Sequence, residues 1–143
     1  MNAKTRQMVL VGLAAVIVLT AFVRAWFSAH GISIGLWGVE VCDHGCRGIR
    51  WDNIPGAEDD LYLASYVAFA AMLVGAAAIV AFVAGNQGAA RVARGVLTVA
   101  IAGLAYFILR AVALDGLSRV GVDWALVVGP IATIAARQLL PKS

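Results

Sequence analysis

The residues best suited to chemistry are two cysteines, Cys42 and Cys46, with His44 between them. Thiolates and imidazoles bind zinc or copper, so these side chains, together with His30, form one candidate metal site. The C-x-H-x-C spacing is not a standard zinc spacing, and thiols outside a membrane tend to oxidise. We therefore expect no bound metal and no other cofactor.

A cysteine pair can also carry out redox chemistry, as in membrane thiol–disulfide oxidoreductases that pass electrons to a quinone. Such enzymes relay electrons from a C-x-x-C through a second cysteine pair, whereas this chain has only two cysteines. The sequence offers no serine–histidine–acid set and no carboxylate pair in a plausible pocket, so it does not suggest a hydrolase. We expect a non-enzymatic protein, and a redox or metal protein that uses Cys42 and Cys46 is the alternative.

The composition indicates a membrane protein. Of the 143 residues, 62% are hydrophobic and 13% are charged, and the mean hydropathy is +0.90. Soluble domains are far less apolar and carry about a quarter charged residues. The net charge of +3 is spread over single and paired basic residues without a basic face or run, which argues against nucleic acid as a partner. The expected surroundings are the lipid bilayer.

Four apolar blocks are each about as long as the hydrocarbon core of a bilayer is thick. They predict a single all-α domain, 1–143, with four membrane-spanning helices at about residues 8–27, 61–85, 92–110 and 122–140. A long polar loop, 28–60, and a short loop, 111–121, connect them. A cleaved signal peptide is the competing interpretation of the first block, but this block is longer than an ordinary signal-peptide core.

The orientation follows from the basic residues in the short segments at one end of the bundle. With the N-terminus inside, the inner segments carry six basic residues and no acidic one: Lys4, Arg6, Arg91, Arg94, Arg137 and Lys142. The positive-inside rule gives most weight to such short segments. We expect a multi-pass protein of the cell membrane with both termini cytoplasmic and the 28–60 loop external.

The external loop contains strand-like sequence. Residues 32–37 and Val39–Cys42 alternate between apolar and small or polar side chains. Asp43-His44-Gly45 is suited to a three-residue hairpin loop, with Gly45 in the left-handed conformation. These features predict a small β-hairpin or sheet between helices one and two.

The same loop carries a family signature, with a Trp near the end of helix one, then Gly-Leu-Trp, then two cysteines. The matching residues are Trp26, Gly35, Leu36, Trp37, Cys42 and Cys46. In this pattern the chain resembles the claudin-like tetraspan superfamily, which includes claudins, the peripheral myelin protein group and the auxiliary gamma subunits of calcium channels. The resemblance implies a left-handed four-helix bundle, a small external sheet and a Cys42–Cys46 disulfide. The cysteines are closer together, and the loop shorter, than is usual in that superfamily.

A disulfide across the hairpin is also sterically reasonable, and the space outside the membrane is oxidising. The expected function is lateral or subunit association, as an accessory subunit of a membrane complex or as an adhesion-like protein. The expected partners are other membrane protein subunits or further copies of the chain.

Small residues spaced four apart mark candidate faces for helix packing, because helices in lipid associate by close backbone approach. Helix two offers one such stripe and helix four another: Ala77, Ala81 and Gly85, then Ala125, Gly129 and Thr133. Pro130 should bend helix four because it lacks an N–H group and clashes with the preceding turn.

Charged and aromatic residues mark the outer ends of the helices. Arg24 and Arg110 either extend their side chains to the headgroups or pair with acidic residues of the outer loops, Asp115 and Asp123 among them. The four tryptophans are expected to be interfacial anchors: Trp26, Trp37, Trp51 and Trp124. Of these, Trp37 is predicted to plug the outer mouth of the bundle.

Overall fold

The computed structural model of the chain describes residues 2–23, 26–29, 32–36, 38–42, 45–50, 59–113, 121–122 and 124–141. Its helices are α1 Ala3–Phe22, α2 Asp59–Val83, α3 Gly88–Ala113 and α4 Trp124–Leu139. Its strands are β1 Phe27–Ala29, β2 Ile32–Ile34, β3 Gly38–Cys42, β4 Cys46–Arg50 and β5 Gly121–Val122.

Three of the helices are long and apolar enough to cross a membrane, over residues Ala3–Phe22, Leu63–Val83 and Gly88–Leu109. The fourth, α4, has 16 residues and is shorter. At 1.5 Å per residue it is about 24 Å long, whereas the hydrocarbon core of a bilayer is about 30 Å thick. Large apolar side chains cover the outside of the bundle, and Leu19, Leu109 and Ile131 are 61–70% exposed. Such a surface is suited to lipid.

The four helices form a ring in which α1 contacts α2 and α4, and α3 contacts the same two helices. Leu10 and Ile17 of α1, Met72 of α2 and Leu97 of α3 are fully buried in one apolar core. The expected four-helix architecture is therefore present, and this core holds the helices in fixed positions under the sheet.

The first helix ends earlier than predicted. It stops at Phe22, and Val23 is extended, with φ −63° and ψ 138°, whereas the apolar block predicted a helix to residue 27. Arg24 follows Val23 in the sequence, and the backbone turns away from the helix at Val23 and enters β1 at Phe27. Trp26 is consequently part of the connection to the sheet.

A close turn joins α2 to α3. The amide of Asn86 donates to the carbonyl of Ala81, and the amide of Gly85 donates to the carbonyl of Phe82, both at 3.0 Å. This pair of bonds is a Schellman motif, which needs a left-handed residue after the helix. Gly85 supplies it with φ +117°. Gly85 thus terminates α2, whereas the sequence placed it in a packing stripe.

The five strands form one antiparallel sheet in the order β4-β3-β2-β1-β5. Four of them come from the connection between α1 and α2, and β5 comes from the connection between α3 and α4. Phe27 of β1 pairs with Val122 of β5. The sheet therefore lies at the end of the bundle where α1 and α3 end, and it joins the α1–α2 connection to the α3–α4 connection.

Candidate functional site

Trp26 anchors the sheet to the bundle. It is fully buried, and its indole Nε1 donates a 3.0 Å hydrogen bond to the carbonyl oxygen of Thr20. The last four carbonyl groups of a helix have no N–H partner within the helix. The indole of Trp26 supplies a donor to one of these carbonyls in α1. The sequence predicted that Trp26 lies at the membrane interface, whereas its side chain is buried in the bundle. The polar tip of the ring reaches the helix end, and its apolar body enters the core.

The ring of Trp26 fits between α3 and α4. It meets Phe107 edge to face, with ring centroids 6.5 Å apart and an interplanar angle of 85°, a geometry that aromatic pairs prefer. On the other helix it lies against Gly129, where an added Cβ would come within 2.8 Å of the Trp26 Cη2 atom. Trp26 therefore fills the end of the bundle, which is the position predicted for Trp37.

The predicted packing face of α4 surrounds this contact. Ala125, Gly129 and Thr133 are all buried, and the hydroxyl of Thr133 donates to the carbonyl of Gly129 at 2.8 Å. A hydroxyl bonded within its own helix can be buried at low cost. This face of α4 thus presents small residues and no unsatisfied hydroxyl beside the ring of Trp26.

Leu36 is a second attachment point between the sheet and the helices. It is fully buried in the same core cluster as Trp26, and it lies in the connection between β2 and β3. The adjacent Gly35 is also buried, and its amide donates to the carbonyl of Gly38 at 2.9 Å. The Gly-Leu part of the sequence signature therefore turns the chain and inserts one apolar side chain.

The cysteines lie directly opposite each other at the end of the β3–β4 hairpin. Cys42 and Cys46 are Cα partners in the register, so residues 43–45 form the predicted three-residue connection. Gly45 has φ +129°, in the region that favours glycine. Cys42 is exposed, and its sulfur lies 3.5 Å from Oε1 of Glu40. The hairpin prediction is confirmed in its position and its loop length.

Several predicted site residues lie outside the part of the chain that the structure describes: Arg24, His30, Trp37, His44, Trp51, Asp115 and Asp123. The side chain of Arg110 is outside it too. Within the described residues, no group of three or more His, Cys, Asp and Glu side chains could hold a metal ion. Trp124 is described, and 56% of it is exposed at the start of α4.

The close approach of α2 and α3 involves residues that the sequence analysis missed. A Cβ added to Gly75 would lie 2.6 Å from a methyl group of Leu97, and one added to Gly103 would lie 3.2 Å from the Cβ of Ala68. The predicted stripe lies elsewhere, with Ala77 exposed and Ala81 half-buried. A glycine inside a helix costs about 1 kcal/mol relative to alanine. A glycine kept at that cost indicates a position where a side chain would clash with a neighbouring helix. Gly75 and Gly103 were therefore the sequence signal for the close contact between α2 and α3.

A reciprocal arginine clamp joins α3 to α4 at the end opposite the sheet. One guanidinium nitrogen of Arg94 donates to the carbonyls of Arg137 and Leu140, both at 3.1 Å. In return, Nε of Arg137 donates to the hydroxyl of Thr98 at 2.7 Å. A cation near the last carbonyls of a helix is favourable because they carry partial negative charge. From the sequence alone, Arg94 and Arg137 were expected only to indicate the orientation in the membrane.

No family model matches the chain, and no curated protein matches it in sequence.

Proposed function

We propose that the chain is a non-enzymatic, multi-pass protein of the cell membrane that mediates lateral or subunit association. It would act as an accessory subunit of a membrane complex or as an adhesion-like protein. The observation that carries the proposal is the attachment of the sheet through Trp26, which is held between Phe107 and Gly129. A surface held in one conformation before binding loses little entropy when a partner docks.

The proposed contact surface is the β4 edge of the sheet. β4 is at one end of the strand order, so among the described strands it has a neighbour on one side only. An edge strand offers backbone N–H and C=O groups to a strand of another chain. Arg47 is exposed on this strand, and a charge at an edge discourages indiscriminate strand pairing. A specific partner would complement that charge.

The proposal includes a disulfide between Cys42 and Cys46. Directly opposed residues in antiparallel strands have Cα atoms about 4.5–5.5 Å apart, within the range of about 4.4–6.8 Å that disulfides span. The register of the hairpin supports this pairing. The bond would fix the end of the hairpin that lies farthest from Trp26 along β3 and β4.

The proposed topology places the sheet outside the cell and both termini in the cytoplasm, with α4 as a fourth span. The described basic residues of the inner segments lie towards the helix ends opposite the sheet, which supports this orientation under the positive-inside rule. Because α4 is short, it would need local thinning of the bilayer to span it. The clamp from Arg94 to the end of α4 supports a common depth for α3 and α4.

The same features support distant membership of the claudin-like tetraspan superfamily. These features are the four helices, the sheet between α1 and α2, the buried Trp26 and Leu36, and the cysteines on neighbouring strands. The short spacing between the cysteines remains a departure from the superfamily pattern.

Photo-crosslinking in intact membranes tests the association. A photoreactive benzoylphenylalanine at position 47 should form adducts with a membrane protein or with a second copy of the chain. The matched control places the same amino acid at Gln87, which is exposed in the α2–α3 turn at the opposite end of the bundle. Absence of adducts at position 47, or identical adducts at both positions, would contradict the proposal.

The alternative is a membrane thiol–disulfide oxidoreductase or metal-binding protein that uses Cys42 and Cys46. The exposure of Cys42 favours it, because a catalytic disulfide must be accessible. The count of two cysteines opposes it, because such enzymes relay electrons through a second cysteine pair. Reversible reduction of the pair coupled to quinone reduction in purified membranes would favour this alternative.

A further inference from the structure

An apolar groove lies on the outside of the bundle between α1 and α2. Its volume is 610 Å³, and the exposed alanines Ala15 and Ala77 are in its lining. Small side chains on both helices leave this space unfilled. Towards the start of α1 it continues into a second cavity of 570 Å³, and Val11 lines both.

The groove ends at a basic opening. Lys4 and Gln7 line its last part, and Arg6 is exposed in the same turn of α1. This turn has a fixed conformation, because Oδ1 of Asn2 accepts a 2.8 Å hydrogen bond from the amide of Thr5. No acidic residue precedes Glu40 in the sequence. An open apolar groove thus leads to the positive charge of Lys4.

We propose that this groove binds one anionic phospholipid, with its headgroup at Lys4 and one acyl chain along α1 towards Leu19. This inference rests on the membrane placement proposed above. From Lys4 to Leu19 the helix rises about 22 Å, at 1.5 Å per residue. On α2 the lining extends from Leu73 to Val83, a rise of about 15 Å, which is half of the roughly 30 Å hydrocarbon core.

The length of the groove distinguishes a lipid from a partner helix. A transmembrane helix packed on α1 and α2 would extend over the full thickness of the hydrocarbon core, about 30 Å. The lining on α2 covers about half of that thickness, at the end of the bundle where Lys4 lies. A negatively charged headgroup gains attraction there, whereas a zwitterionic headgroup does not.

Native mass spectrometry of the full chain in mild detergent tests this site, with phosphatidylglycerol and phosphatidylcholine as probes at equal concentration. Phosphatidylglycerol should be retained preferentially. Lys4→Gln should lower its occupancy about fivefold and leave phosphatidylcholine unchanged, since each basic residue near a headgroup contributes about a fivefold preference. Ala77→Leu should lower the retention of both lipids by filling the groove.

Two control variants match these changes. Arg91→Gln removes one charge at the same end of the bundle without lining the groove, and Ala102→Leu adds the same bulk at an exposed site on α3. Neither should change lipid retention. Equal losses for Lys4→Gln and Arg91→Gln would overturn the site in favour of general electrostatic attraction.

A protein interface in the groove would give a different result. If Ala15→Leu turned a dimer into a monomer and left lipid retention unchanged, the groove would be a contact between copies of the chain, which would overturn the lipid proposal. Crosslinks from position 47 report on association independently. If crosslinks form at position 47 but phosphatidylglycerol is not retained preferentially, the lipid site alone is overturned. If phosphatidylglycerol is retained preferentially but no crosslinks form, the association alone is overturned.

Discussion

The indole Nε1 of Trp26 bonds to the main-chain oxygen of Thr20 over 3.0 Å, so the chain folds back onto the helix that it has just left. This one bond satisfies a buried carbonyl at the end of α1, which would otherwise remain unpaired. It also brings the first strand of the sheet onto the bundle. The hydrogen bond and the packing of the ring can be tested separately.

Two substitutions of Trp26 should destabilise the protein to different degrees. Trp26→Phe keeps an aromatic ring but removes the donor to Thr20, which should cost about 1–2 kcal/mol. Trp26→Ala also empties the space beside Phe107 and Gly129, and the total cost should be about 3–5 kcal/mol. Unfolding in detergent, followed by circular dichroism, measures both. Trp124→Phe is the matched control because Trp124 is 56% exposed, and an equal loss there would contradict the anchor role of Trp26.

Adding a methyl group at Gly129 should also destabilise the bundle. The new Cβ would lie 2.8 Å from Cη2 of Trp26, and such overpacking costs about 1–3 kcal/mol. Gly95→Ala provides the contrast, since nothing lies within 4 Å of a Cβ there, and it should stabilise the helix by about 1 kcal/mol.

A double variant shows whether the clash is with Trp26. Because phenylalanine lacks the Cη2 atom, Gly129→Ala should cost less in the Trp26→Phe background than in the wild type. The same thermal or denaturant unfolding gives the coupling energy, which should exceed about 0.5 kcal/mol for residues in contact. Strict additivity would show that the strain at Gly129 comes from elsewhere.

Removing the arginine clamp should loosen the end of α4. Arg94→Ala removes the bonds to the carbonyls of Arg137 and Leu140, and hydrogen bonds from charged groups contribute about 1.5–3 kcal/mol. Amide exchange in the 136–141 peptide, measured by mass spectrometry, should be at least about tenfold faster. Arg6→Ala, an exposed arginine on α1, should leave that peptide unchanged. Unaltered exchange in Arg94→Ala would rule out the clamp.

Under the proposed disulfide, removing both cysteines should have a modest and local effect. A crosslink that closes so short a loop stabilises by about 2 kcal/mol, and Trp26 and Leu36 attach the sheet independently. The double Cys42→Ser, Cys46→Ser variant should therefore still fold, with faster exchange at the hairpin. Alkylation of the wild type in intact membranes should require prior reduction, and labelling without a reductant would argue for a free thiol pair.

Local sequence patterns predicted the parts of the fold that depend on local chemistry. The apolar blocks indicated four helices, and the Asp43-His44-Gly45 stretch indicated the hairpin connection between Cys42 and Cys46. The α2 packing face was not predictable in this way, because an alanine-rich helix offers several stripes of small residues. Only the tertiary structure shows that Gly75 and Gly103 are the positions of close approach.

The core of the candidate site depends on contacts between distant residues, which is why the sequence did not reveal it. Trp26 looks like an interfacial anchor until Phe107 and Gly129 are placed around it. Arg94 looks like a topology signal until the end of α4 is brought beside it. In both cases the partner lies on another helix, so spacing along the chain contains no information about the contact.

The pairing of Phe27 with Val122 also sets the order of assembly during synthesis, because these residues are about 95 positions apart in the chain. The fifth strand and the α4 wall of the Trp26 site emerge from the ribosome only after α1, α2 and α3. Until then Trp26 lacks Gly129 as a neighbour and the sheet lacks its last strand. A nascent chain that ends before β5 would therefore leave Trp26 without one wall of its packing site.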